Sequence, residues 1–167
     1  SYAQFTESNG GRFLFDSLTL STGFGIRLSG DGTTLSYPNL LGIGGITFDY
    51  PNVTNVTFGA LTTIDAGNNT FSSAVIFRSG ATYNFPQLVS ANGVTFDLPA
   101  GAVVNLPNLS SMVWSVLKLN GSAQFNSGML SNIDNARFEL RGGAVFNRVS
   151  ATSYNTRSLW SMTIVSV

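Results

Sequence analysis

The chain has no histidine and no cysteine. Those two absences remove imidazole bases, thiol nucleophiles and most zinc or copper sites at once. No cofactor and no metal are expected, and the redox compartment is not legible without cysteine. Charge is scarce too. Asp, Glu, Lys and Arg make up 10% of the 167 residues and cancel to zero, against about 25% in ordinary soluble domains. Lys118 is the one lysine. Nucleic acid needs clustered Lys and Arg against its phosphates, so no such partner is expected. No apolar run approaches membrane-spanning length, so no membrane insertion is expected. Sustained i, i+3, i+4 spacing with helix formers is missing as well, which argues against helices.

What the chain does have is a repeat. Gly32-Thr-Thr-Leu-Ser-Tyr-Pro-Asn-Leu40 returns as Gly80-Ala-Thr-Tyr-Asn-Phe-Pro-Gln-Leu88 and Gly101-Ala-Val-Val-Asn-Leu-Pro-Asn-Leu109. Looser copies start at Ser122 and Gly143, so the last four copies are each 21 residues apart. A fixed period of this length signals stacked coils, that is, a solenoid. Counting the glycine as position 1, three positions stay apolar. Position 4 reads Leu35, Val56, Tyr83, Val104, Phe125, Phe146; position 9 reads Leu40, Leu61, Leu88, Leu109, Leu130, Ala151; position 17 reads Phe48, Val75, Phe96, Leu117, Phe138, Leu159. Phe13, Leu18 and Ile26 extend them into a first coil. These are the expected interior walls.

Within a coil, apolar and polar residues alternate, as in Val94-Thr-Phe-Asp-Leu98. Period two with Val, Thr, Phe and Tyr is a strand signal. The expectation is an all-β parallel β-helix or solenoid of about seven 21-residue coils, with three short strands per coil. Adjacent coils would pair in parallel about 4.8 Å apart, making a stack of roughly 34 Å. The coil from Val53 to Ser79 is six residues too long. The walls stay aligned if the excess sits near Asp65-Ala-Gly-Asn-Asn-Thr70, whose composition suits turns. The expected organisation is an N-terminal cap or exchange segment at 1–9, the solenoid at 10–163 and a C-terminal tail at 164–167.

Carboxylates are the only acid–base groups left. Asp49 and Asp97 both take position 18, two coils and so about 9.6 Å apart, at the wide edge for an inverting glycosidase pair. Position 18 as a whole reads Arg27, Asp49, Ile76, Asp97, Lys118, Glu139, Trp160. That alternation is expected to be a cross-strand ion ladder, with Arg27 beside Asp49 and Lys118 between Asp97 and Glu139, each pair worth a few tenths of a kcal/mol. No catalytic residue is assigned and no enzyme is expected. Position 5 carries Asn84, Asn105, Asn126 and Asn147, which in register would chain their amides along the stack. Such a flat polar face is a candidate ligand face for polysaccharide. Sequons stand at Asn52, Asn55, Asn68, Asn108 and Asn120. They permit glycosylation at about the frequency that chance alone gives.

The run Gly-Ala-x-x-Asn-Leu-Pro-Asn-Leu, best at 80–109 and recurring over about 32–150, resembles the β-solenoid repeats of large bacterial surface and adhesin proteins. The stretch Leu106-Pro-Asn-Leu-Ser-Ser-Met112 also resembles the leucine-rich repeats of receptor L-domains. The chain departs from that second pattern, since Pro51, Pro99, Asn120 and Arg141 stand where a fixed Asn would follow the strand. The first resemblance implies an extracellular or cell-surface structural or adhesive role without catalysis. A chain starting at Ser1, with no signal-like segment, is what a processed secreted protein would look like.

The last coil breaks the repeat: Arg148 takes apolar position 6, Arg157 position 15 and Ser161 position 19. A terminal repeat that loses its walls reads as a cap or docking face, and little charge favours association. The expected partner is therefore the protein itself, as a homo-oligomer, filament or surface layer. Tyr2 and Phe5 at one end and Trp160, Ile164 and Val167 at the other are the candidate assembly anchors. Tails that fold back on their own coils are the simpler alternative, and a glycan-binding or glycan-cleaving β-helix is the competing function.

Overall fold

The structure, a computed structural model, describes residues 2–6, 25–30, 32, 34–43, 46–49, 51–66, 73–156 and 165–166. Every regular element among them is a strand. In chain order these are β1 (Tyr2–Thr6), β2 (Gly25–Ser29), β3 (Thr34–Ser36), β4 (Gly42–Ile43), β5 (Ile46–Asp49) and β6 (Asn55–Thr57). Then come β7 (Thr63–Asp65), β8 (Ser73–Ile76), β9 (Thr82–Asn84), β10 (Ser90–Asn92), β11 (Val94–Leu98) and β12 (Val103–Leu106). The last are β13 (Ser111–Val113), β14 (Val116–Asn120), β15 (Gln124–Ser127), β16 (Arg137–Arg141) and β17 (Val165–Ser166).

The protein is a parallel β-solenoid. One face is the sheet β15-β12-β9-β6-β3, the second is β13-β10-β7-β4, and the third is β17-β16-β14-β11-β8. A separate sheet, β1-β2-β5, lies at the N-terminal end, with β5 beside β8. Every pairing is parallel. About four turns form the regular stack among the described residues, fewer than the seven read from the repeat; much of the first coil and the end of the last lie outside the described residues.

The walls are where the repeat puts them. Leu40, Leu61, Leu88, Leu109 and Leu130 at position 9 all have zero exposure. Position 4 is buried from Leu35 to Phe125, and position 17 from Val75 to Phe138. Aromatic rings stack along the axis: Tyr37 on Phe58 at 5.2 Å and Phe58 on Phe85 at 5.1 Å between centroids. Such pairs add about 0.5–1.5 kcal/mol beyond area burial. A fourth wall comes from position 12, where Ile64, Ala91, Met112 and Ile133 point inward from the second face.

The six extra residues fall between β7 and β8. Thr63 pairs with Ser90, 27 residues on, whereas Ser73 pairs with Val94, 21 residues on. Residues 67–72, which absorb the difference, lie outside the described residues. The coil corner after the second face uses left-handed backbone at position 14: Gly93 (φ 68°), Trp114 (φ 54°) and Asn135 (φ 56°). Glycine and asparagine take that region readily, but a bulky residue there is an outlier held by its surroundings. The Trp114 N–H donates to Asp134 O at 3.0 Å, tying that corner to the coil above.

Two register expectations need correction. β2 and β5 place Arg27 opposite Thr47 and Ser29 opposite Asp49, so Arg27 is not the cross-strand neighbour of Asp49. The offset is two residues, which keeps every side chain on its expected face and so leaves no trace in the apolar pattern. Second, Glu139 does stand opposite Lys118 in register, but its carboxylate is held by Arg137 and Arg141 of its own strand. Among the described residues Lys118 pairs with Asp97, at 3.8 Å.

Candidate functional site

The outer side of the first face is an uncharged polar surface. β9, β12 and β15 alternate buried and solvent-facing residues. Positions 3 and 5 face out, presenting Thr82, Asn84, Val103, Asn105, Gln124 and Asn126. Three of these amides form a directed chain. Asn126 Nδ2 donates to Asn105 Oδ1 at 2.8 Å, Asn105 Nδ2 to Asn84 Oδ1 at 2.8 Å, and Asn84 Nδ2 to Asn55 Oδ1 at 3.2 Å. All the donors point toward the N-terminal end. The last bond is diagonal, because Thr57 stands opposite Asn84 and has no amide. Asn147 does not extend the ladder, since residues 144–148 form no strand to hold it in register.

The second face carries shorter ladders. Asn92 Nδ2 donates to Asp65 Oδ1 at 3.0 Å, and Ser90 Oγ to Thr63 Oγ1 at 3.3 Å. Higher up, Asn155 donates its backbone N–H to Asp134 Oδ1 at 2.8 Å and its amide to Oδ2 at 3.2 Å. Tyr154 beside it donates to Ala136 O at 2.9 Å. Its phenol is held above the ordinary tyrosine range by burial and then by the Asp134 charge.

The third face holds the ions. Asp97 is half exposed, with Lys118 Nζ at 3.8 Å, a geometry of little energetic weight. Asp49 ends β5, and its side chain lies outside the description. Glu139 is different. Its side chain is 6% exposed, with Arg137 at 3.1 Å on one oxygen and Arg141 at 3.0 Å on the other. The spacing Arg137-x-Glu139-x-Arg141 places all three on one side of β16 at period two. That spacing is the signal in the sequence for a carboxylate clamped from within its own strand.

No group of three or more carboxylates that could hold a metal ion occurs among the described residues. No described helix is long and apolar enough to cross a membrane. The amide face can offer hydrogen bonds to a neutral polar ligand, and it carries no group that moves a proton near neutral pH.

At the N-terminal end, β1 adds to β2 of the same chain, with Tyr2 opposite Gly25 and Phe5 opposite Leu28. Phe5 is half-buried against the core. At the other end, β17 adds to β16, with Val165 opposite Glu139. Trp160, Ile164 and Val167 lie outside the described residues. Phe146, Ala151 and Tyr154 are half-buried against the core in the last coil, and Val145 is 78% exposed. Of the sequon asparagines, Asn52, Asn55 and Asn108 are exposed, Asn120 is half-buried, and Asn68 is outside the described residues.

No family model, no curated protein and no solved structure matches this chain.

Proposed function

We propose that the protein is an extracellular or cell-surface structural element, adhesive or scaffolding, whose copies self-assemble into a filament or surface layer. One observation carries the reading. Each sheet ends in strands that are partnered on one side only among the described residues: β3 and β15 on the first face, β4 and β13 on the second, β1 and β17 elsewhere. An open parallel edge offers unpaired backbone groups to another chain. A contact between unlike ends of identical subunits propagates unless it closes. The neutral Ser-, Thr- and Asn-rich exterior adds no general repulsion. The resemblance of the repeat to bacterial surface and adhesin proteins supports the location. Negative-stain electron microscopy with light scattering tests it. Fibres or sheets are expected, and a clean monomer at high concentration overturns it.

A second reading, glycan binding by the amide face, is favoured by the uncharged ladder of Asn84, Asn105 and Asn126. Retention of the protein on immobilised polysaccharide, lost on replacing Asn105 and Asn126 by Leu, would support it. Glycan cleavage has less support, because Asp97 is occupied by Lys118. A polysaccharide-cleaving activity abolished by Asp49→Asn with Asp97→Asn would put it first.

A further inference from the structure

In a solenoid, sequence order is height along the axis, so the distribution of charge along the chain is also its distribution along the molecule. That distribution is lopsided. Residues 1–117 carry Arg12, Arg27 and Arg78 against six carboxylates (Glu7, Asp16, Asp31, Asp49, Asp65 and Asp97), a net of −3. Residues 118–167 carry Lys118, Arg137, Arg141, Arg148 and Arg157 against Asp134 and Glu139, a net of +3. The zero total hides an acidic N-terminal end and a basic C-terminal end.

The contacts sharpen this at the basic end. Glu139 is shared by two guanidiniums, Arg137 and Arg141, so that cluster keeps an excess positive charge. Arg148 is exposed in the last coil. The ends do not average each other out. The screening length is about 8 Å at physiological salt, much shorter than a stack of roughly 34 Å. Each end therefore meets a neighbour with its own sign.

We propose that copies of this chain associate head to tail, the acidic N-terminal end of one on the basic C-terminal end of the next, with charge selecting that orientation. This rests on the self-assembly reading and adds its polarity. The strands select the same orientation. All pairings within the solenoid are parallel, so a copy translated along the axis meets the open edges in parallel, whereas an inverted copy reverses them. Contacts between two acidic or two basic ends place like charges together, which complementarity at an interface normally excludes.

The full chain is examined by sedimentation velocity between about 0.01 M and about 1 M sodium chloride, where the screening length falls from roughly 30 Å to roughly 3 Å. The association constant is expected to fall by roughly tenfold or more across that range. Two charge-reversed chains are then compared: Arg148→Glu with Arg157→Glu, and Glu7→Lys with Asp16→Lys. Each alone is expected to lose assembly while keeping its circular dichroism spectrum. The mixed pair is expected to recover dimers, since the two reversed ends are again complementary, but not long fibres. Assembly indifferent to salt overturns the charge proposal and leaves the self-assembly reading standing. A monomer at every salt concentration overturns both. If a reversed chain fails to fold, the salt series on the unaltered protein still decides.

Discussion

The side-chain amide of Asn105 donates to Asn84 one coil below at 2.8 Å, while its own Oδ1 accepts from Asn126 one coil above at 2.8 Å. Each ladder member is thus held at both ends. The bonds lie parallel to the backbone ladders, so they add to coil-to-coil cohesion without using core volume.

Asn105→Ala removes both bonds and strands two neighbouring amides. A loss of about 1–2 kcal/mol is expected. Asn147→Ala, at the same repeat position but outside the ladder, should stay within about 0.5 kcal/mol. Denaturant midpoints of the two variants decide: equal shifts would mean that the ladder contributes nothing.

Leu109→Asn places an amide at a position with zero exposure. An unpaired buried amide costs about 1–3 kcal/mol in mutational data, in addition to the lost packing of the leucine, about 2–5 kcal/mol for truncation to alanine. It is expected to be among the most damaging single changes. An unchanged thermal melt would contradict the assignment of position 9 to the interior.

Gly128 shows a different constraint, imposed by the coil below. A Cβ there would lie 2.8 Å from Pro107 O and 2.9 Å from Leu109 O. Both are backbone atoms, so relief requires a coil to shift. Gly128→Ala is expected to cost about 1–3 kcal/mol as an overpacking change, even though the site is not left-handed and alanine is otherwise a mild substitution. Full stability in a chemical melt would show that the coils slide more freely than this contact implies.

The fold was legible where one residue type recurs at one position, and obscure where it does not. The leucines at position 9 and the aromatic and aliphatic series at positions 4 and 17 repeat so regularly that their burial followed. Position 12 escaped because Ile64, Ala91, Met112 and Ile133 differ widely in volume, although all are buried. The insertion before β8 was legible from its Asp, Gly and Asn. The two-residue register offset between β2 and β5 was not, because it preserves alternation. The amide ladder was read from Asn84, Asn105 and Asn126, but its end on Asn55 was missed because that bond is diagonal. Glu139 was assigned to Lys118 since only cross-strand partners were considered, while its arginines sit two residues away on either side. Trp114 gave no sign of left-handed backbone, yet Gly93 and Asn135 at the same position were a usable hint.

The Glu139 clamp leads to an asymmetric prediction. Replacing Arg137 and Arg141 together by Ala leaves a carboxylate 6% exposed with neither of these partners, and a loss of about 3–5 kcal/mol is expected. Glu139→Gln keeps the shape and removes the charge, so its cost should be smaller. If the double arginine variant melts like the parent, the clamp is not holding the carboxylate in place.

Tyr83 gives the molecule an alkaline limit. Burial lifts its phenol above the ordinary value of 10.0, with the backbone N–H and the charge of Arg78 pulling the other way. That N–H donates to the phenol oxygen at 3.1 Å, and the Phe77 ring meets the Tyr83 ring edge-on at 4.8 Å. The folded state therefore holds the phenolic proton more tightly than the unfolded chain does. Stability from this source is complete below the unfolded value near 10 and is lost as pH rises through the higher folded value. Unfolding free energy should be flat from neutral pH to about 10 and then decline. Tyr83→Phe should cost about 1 kcal/mol at neutral pH, through the lost acceptor for Arg78, and should flatten the alkaline decline. Some decline should persist, because Tyr154 is shifted in the same direction. Urea midpoints at about pH 8 and about pH 11 for the two proteins make the comparison. Identical alkaline slopes would rule out Tyr83 as the group whose deprotonation weakens the core.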